Sequence, residues 1–229
     1  YIAPERISSP TFLSRFAEMN VSLIAVDEAH CISEWGYDFR PAYLKISTLR
    51  EFKPEVPILA LTASATPKVL DEIVQYLKLR TPKIHRMSFR RKNLSYVVRQ
   101  TEDKQGMLRH ILQNVSGSAI VYVRSRKKTE EIAAFLISNG ISASFYHAGL
   151  GSDSRSDRQA KWKSGEIRIM VCTNAFGMGI DKPDVRFVVH FDVPDSPEAY
   201  FQEAGRGGRD GLRSYAVLLW NATDLKRLR

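Results

Sequence analysis

Short apolar runs alternate with amphipathic stretches along these 229 residues. Leu23–Val26 is four consecutive apolar residues ending abruptly in Asp27-Glu28. A buried parallel strand that delivers acids to the carboxyl edge of its sheet has this pattern. Pro57–Leu61 predicts a second short strand, ending in Thr62-Ala-Ser64-Ala-Thr66. Ser9-Pro10 starts a helix that carries Phe12, Leu13 and Phe16, and Tyr43–Phe52 predicts another. Behind Thr66-Pro67, the residues Leu70, Ile73, Val74 and Leu77 at helical spacing predict a third. The opening Tyr1–Arg6 reads as the end of a strand. From about Thr81 the periodicity is lost in a basic stretch, read as an exit strand and then a hinge at Phe89–Asn93.

The second half repeats the alternation. Strands are predicted at Tyr96–Arg99, Ala119–Val123, Ala143–Tyr146, Ile169–Thr173, Phe187–Phe191 and Tyr215–Leu219. Leu108, Ile111, Leu112 and Val115 mark one intervening helix, and Ile132, Phe135 and Leu136 another that closes at Asn139-Gly140. A polar helix over Asp153–Lys163 stops at Gly165, and Ser196-Pro197 caps one more. The fold class is α/β: two parallel-sheet domains, residues 1–90 and 91–229, the first lacking the opening part of its sheet.

Composition changes this picture in one respect. Lys and Arg outnumber Asp and Glu by 34 to 25, a net charge of +9. That excess favours a polyanionic partner. Two distant cysteines in apolar surroundings, no Cys/His spacing of zinc type and no apolar run near the ~20 residues of a membrane span suggest an intracellular, non-membrane protein.

Candidate chemistry gathers at the predicted strand ends. Of Asp27 and Glu28, one can hold Mg²⁺ through water while the other orients an attacking water against a phosphate. Trp35, Tyr37, Phe39 and Arg40 follow closely, and aromatic and guanidinium planes suit stacking on unpaired bases. On pattern alone, two solvated acids at a strand-end turn explain the first pair equally well. Thr62, Ser64 and Thr66 read first as a helix cap. Ser125-Arg126, and His147 with Gly149, place donors or a cation where phosphates can be met, although a lone histidine is more often structural. The glycines of Thr173-Asn-Ala-Phe-Gly177-Met-Gly179-Ile-Asp181 allow close backbone approach to a ligand, and Asp181 can accept from a ribose hydroxyl. In Gln202-Glu203-Ala-Gly205-Arg206-Gly-Gly208-Arg209, two arginines three apart in a glycine-rich turn can reach a triphosphate. A basic surface turn is the alternative.

Taken together, Asp27-Glu28-Ala-His30-Cys-Ile-Ser-Glu-Trp35-Gly-Tyr-Asp-Phe39-Arg40-Pro41, the Thr173–Asp181 run and the Gln202–Arg209 turn resemble the RecQ family of DNA helicases. The resemblance implies two RecA-like domains, the first a DEAH-box ATP-binding domain entered part-way along, with ATP and Mg²⁺ between them. It implies that Asp27 and Glu28 hold Mg²⁺ and drive hydrolysis, with His30, Gly177, Gly179, Asp181, Gln202, Arg206 and Arg209 around the nucleotide. Arg209 becomes the arginine finger, with Arg206 beside it. Trp35, Phe39, Arg40, Ser125, Arg126, His147 and Thr173 become DNA contacts, and Thr62, Ser64 and Thr66 the coupling segment. The implied activity is ATP-dependent 3′-to-5′ unwinding of partly duplex DNA along a single strand, in recombination and repair. Gln202-Glu203 stands where DEAD-box RNA helicases carry His-Arg. Two departures matter: Lys92 stands where the family commonly has Pro, and none of the 13 glycines is followed by the Lys that a phosphate loop needs. This chain alone is therefore expected to be inactive. A nucleic-acid-binding module without ATPase and an RNA helicase of the same superfamily are the alternatives.

Overall fold

The computed structural model describes every residue except Gly36, Tyr37, Ser64, Phe89, Met178, Gly179 and Arg229, together with the side chains of Arg227 and Leu228. The chain divides into two compact units, Tyr1–Ser88 and Phe89–Arg229.

In the first unit, β1 (Ile24–Val26) pairs in parallel with β2 (Ile58–Ala60), Val26 opposite Ala60. The helix α1 (Pro10–Glu18), the single turn α2 (Leu49–Phe52) and α3 (Pro67–Tyr76) pack around Phe16, Val26, Ile32, Leu49, Ile73 and Leu77. Thr66 caps α3 as its sequence predicts, its hydroxyl accepting from Val69 N at 3.3 Å. Three expectations need correction. The opening is not a strand end: Pro4–Ser8 forms a 3-10 turn, with Pro4 fixing the helical φ of its first residue. Tyr43–Phe52 is not one helix, because Pro41–Thr48 winds as 3-10 before α2 begins. Nor does the basic stretch form an exit strand. Residues 82–88 have no regular secondary structure and are all exposed, as expected where charges leave no apolar alternation to bury.

The second unit is a six-stranded, all-parallel sheet. Its strands are β3 (Leu94–Gln100), β4 (Ser118–Tyr122), β5 (Ala143–Tyr146), β6 (Ile169–Cys172), β7 (Val185–His190) and β8 (Ser214–Trp220), in the order β3-β8-β7-β4-β6-β5. Neighbouring residues on the central strands face opposite cores. Val121, Val171 and Val189 meet Leu108 and Leu112 of α4 (Lys104–Asn114) and Ile132 and Leu136 of α5 (Arg126–Ser138). Ile120, Met170 and Val188 meet Phe176 and Trp162, the latter from α6 (Ser152–Ser164). Burial on both faces is why these strands read as unbroken apolar runs. The helices α7 (Pro197–Ala204) and α8 (Ala222–Leu228) complete the unit, the second unpredicted. Six parallel strands direct their carboxyl ends to one edge, where the loops after β4, β5 and β6 carry the candidate residues.

Candidate nucleotide and nucleic-acid sites

In the first unit, Asp27 lies just past the end of β1, and its backbone carbonyl accepts from the Tyr43 hydroxyl at 3.2 Å. The chain then turns sharply. Glu28 adopts φ 48°, ψ 43°, the left-handed region that a residue with a Cβ rarely occupies. The Asp27 carboxylate accepts from Glu28 N at 2.9 Å, and Ala29 N donates to Leu61 O at 2.9 Å. These bonds hold the turn against the end of β2.

The turn brings Glu28 and the Thr62 segment to one imidazole. His30 Nδ1 lies 3.0 Å from Thr62 Oγ1 and 3.4 Å from Glu28 Oε2, with the ring buried. Burial lowers the His30 pKa against the opposing pull of Glu28, favouring the neutral ring. With its proton on Nδ1, neutral His30 donates towards the hydroxyl or the carboxylate. Burial also pushes the Cys31 thiol up to about 11 and the Tyr43 phenol to about 12, so both stay protonated.

The aromatic loop returns to the same turn, since Arg40 N donates to Cys31 O at 2.8 Å. Arg40 is held by Asp38, with Nε to Oδ2 at 3.2 Å, and Phe39 is half-buried. Trp35 stays exposed, with the Lys68 ammonium 3.2 Å above its ring centroid. Lys68 sits in the first turn of α3, directly behind the Thr62–Thr66 segment, and nothing in its sequence singled it out. Thr66 caps α3. Tyr37 and Ser64 lie outside the described residues, as does Gly179.

In the second unit, Ser125 caps α5 by accepting from Lys128 N at 3.2 Å, so its hydroxyl already serves the helix. Arg126 is exposed, and a Cβ at Gly149 would lie 3.0 Å from its Nη1 and 3.1 Å from His147 Nδ1. His147 itself is buried, with Nδ1 accepting from Gly149 N at 3.2 Å and Nε2 3.2 Å from Glu130. Both ring nitrogens are thus engaged, the structural role that a lone histidine more often takes. Thr173, after β6, is buried and accepts from Ala175 N at 3.4 Å. Since β5, β6 and β4 are neighbours, these groups form one row along the sheet edge.

The glycine-rich turn after α7 meets the loop after β6. Arg209 Nη1 donates to Asp181 Oδ1 at 2.7 Å. Gly177 approaches Asn174 O so closely that a Cβ would lie 2.8 Å away, with Arg206 Nη2 at 3.5 Å. Arg206 Nε is buried without a hydrogen-bond partner among the described residues. Burial raises the nearby Tyr122 phenol and Cys172 thiol well above their ordinary values, with Arg206 pulling both down. Beneath the turn, His190 Nε2 pairs with Glu203 at 2.9 Å, fully inside the fold. Gln202 is half-buried on α7.

Comparison with known proteins decides the family. Residues 1–73 match the family profile described as DEAD/DEAH box helicase, and residues 103–211 match the helicase conserved C-terminal domain. The chain is 44% identical over 227 residues to the ATP-dependent DNA helicase RecQ of Bacillus subtilis, covering 98% of this chain and 38% of that protein. It is 42% identical over 225 residues to the ATP-dependent DNA helicase RecQ of Pasteurella multocida, covering 98% of this chain and 36% of that protein. It is 44% identical over 239 residues to the RecQ-like DNA helicase blm-1 of Caenorhabditis elegans, covering all of this chain and 24% of that protein. The chain belongs to the RecQ helicase family. It spans about a third of the length of the bacterial relatives it matches.

The RecQ-family chain also shares its fold with a solved structure of Saccharomyces cerevisiae Dbp5 bound to RNA and ADP BeF3, with a TM-score of 0.71 at 21% identity. That match covers 95% of this chain and 58% of Dbp5. That likeness and the two family profiles together make the two domains of this chain RecA-like helicase domains. Among the described residues, no group of three or more His, Cys, Asp or Glu is arranged to hold a metal ion. The adjoining Asp27 and Glu28 carboxylates instead fit Mg²⁺, a hard cation usually bound by one or two carboxylates plus substrate phosphates and water. The unpartnered Arg206 donor fits a phosphate oxygen.

Proposed function

We propose that the protein is an ATP-dependent 3′-to-5′ DNA helicase acting in recombination and repair, and that these residues form part of its motor. Asp27 and Glu28 would hold Mg²⁺, which, when bound with ATP, neutralises phosphate charge. Glu28 orients the attacking water. Arg209 forks onto the phosphoryl oxygens as their charge develops, Arg206 binds the phosphates before reaction, and Asp181 and Gln202 position the nucleotide. Arg126, Thr173 and the Trp35–Arg40 loop hold single-stranded DNA.

The observation that carries this reading is the Glu28–His30–Thr62 cluster. One buried imidazole touches the hydrolytic carboxylate and the segment that leads into α3, whose Lys68 covers Trp35. A change in the aromatic loop on DNA therefore has a short physical route to Glu28. The full-length protein should hydrolyse ATP faster with single-stranded DNA and displace a strand from duplexes with a 3′ tail. Glu28→Gln should abolish both. DNA binding without wild-type ATPase would favour the binding-module reading, and preference for RNA would favour an RNA helicase. The 229 residues alone, with no Gly-Lys pair, should not hydrolyse ATP.

A further inference from the structure

Three carbonyls of the arginine-bearing turn converge on one side chain from the start of the second unit. Half-buried Arg91 donates from Nη1 to Gly205 O at 3.0 Å and from Nη2 to Gly207 O at 2.9 Å and to Gly208 O. Asn93 Nδ2 adds bonds to Gly208 O at 2.7 Å and Leu212 O at 2.9 Å. Converging carbonyl dipoles repel one another unless a cation sits at their focus, and the planar guanidinium supplies several donors in a fixed fork. The Gly205 and Gly208 carbonyls belong to the peptide bonds immediately before Arg206 and Arg209. Gly208 has φ +57°, and a Cβ there would lie 2.7 Å from Asn93 Nδ2 and 2.8 Å from Leu212 O. Only glycine admits this approach without displacing the clamp.

Resting on the reading of Arg209 as the arginine finger, we propose that Arg91, assisted by Asn93, is a positioning residue for hydrolysis: it fixes the backbone from which Arg209 reaches the phosphates. Neither side chain needs to touch nucleotide. Positioning dominates phosphoryl transfer, so a turn that is folded but loose by about 1 Å should cost turnover on the order of 10²-fold while ground-state binding persists.

The test uses the full-length protein with Arg91→Ala, Arg91→Lys, Asn93→Ala, Arg209→Ala and the double variant of Arg91→Ala with Arg209→Ala. DNA-stimulated kcat, binding of a fluorescent ATP analogue and thermal melting are measured on each. Arg91→Ala is expected to lower kcat roughly 10- to 100-fold with analogue affinity within about threefold of wild type. Lysine should not rescue, because one ammonium cannot serve three carbonyls in a plane. The double variant should be no slower than Arg209→Ala alone, since the clamp acts through the finger. Where Arg91→Ala does not fold, Arg91→Lys and Asn93→Ala decide by the same kcat loss. Wild-type kcat in folded Arg91 variants, fully additive losses in the double variant, or unfolding of all three clamp variants would overturn the proposal. A normal kcat in Arg209→Ala overturns the finger assignment itself, and with it this inference, by a separate measurement.

Discussion

Arg209 and Asp181 are each other's partners, Nη1 to Oδ1 at 2.7 Å. In the function proposed above both meet the nucleotide, and the pair would then store the finger beside its target. The bond is solvent-exposed, and ion pairs of that kind contribute little net stability, so exchanging Asp181 for phosphate costs little. Arg209→Ala in the full-length protein should reduce ATPase turnover by roughly 10³ to 10⁵ with only a modest change in ATP binding. Nucleotide titration and basal turnover on the same variant check this. If the turn instead meets DNA, the variant keeps basal ATPase and loses DNA affinity in a salt-dependent way.

Asp181→Asn separates two further roles. If Asp181 accepts from ribose, KM for ATP rises and kcat holds. If it only parks Arg209, KM is unchanged. The expected outcome is a raised KM, read from steady-state kinetics.

In the proposed function, Lys68 competes with DNA for the face of Trp35 that it covers. A cation–π contact is worth about 0.5–1 kcal/mol at exposed sites, so Lys68→Ala should tighten single-stranded DNA binding about two- to fivefold. Trp35→Ala and Arg40→Ala should abolish DNA stimulation while leaving basal ATPase and melting temperature unchanged. Fluorescence anisotropy with a labelled oligonucleotide, alongside ATPase, measures both effects.

The first unit should weaken in mild acid. Burial holds the folded His30 pKa below its ordinary 6.5, so the unfolded chain binds the extra proton first. Stability is therefore fully present above pH 6.5 and falls as pH drops through the lower folded value. Hydrogen exchange at the Leu61 amide, which bonds to Val26 O, localises the effect to this unit. His30→Gln should flatten the profile.

Trypsin should cut first within residues 83–90, where Lys83, Arg86 and Arg90 are exposed and lie outside helices and strands. Mass spectrometry of early products should find a fragment opening near Arg91. First cuts inside α4 or α5 would contradict the burial seen there.

The sheet of the second unit was legible because its strands are apolar on both faces, and Ser196 and Thr66 announced their helices through hydroxyl caps. What stayed hidden was three-dimensional. Pro41–Thr48 carries helical spacing and buries Tyr43 and Ile46, yet winds as 3-10, a choice of hydrogen-bond register that side-chain spacing does not reveal. The basic residues around Arg91 look alike in sequence, yet only the fold shows Arg91 turned onto three carbonyls. Likewise, the sequence leaves His147 open between a phosphate contact and a structural role, and only the fold shows Glu130 and the Gly149 amide at its ring nitrogens.

The order of the sheet bears on how the chain is made. β3 opens the second unit at one edge of the sheet and, among the described residues, pairs only with β8, the last strand, Leu94 opposite Ser214. On the ribosome, β3 must wait with an unsatisfied ladder for some 120 residues, roughly 6–24 s at 5–20 residues per second. Its exposed Tyr96 and Val98 are available to chaperones or to misassembly throughout that interval. Asn93 and Leu94 are neighbours, so the clamp on the arginine turn closes only as the final strand docks. An arginine-bearing turn held in this way cannot form before its sheet is whole.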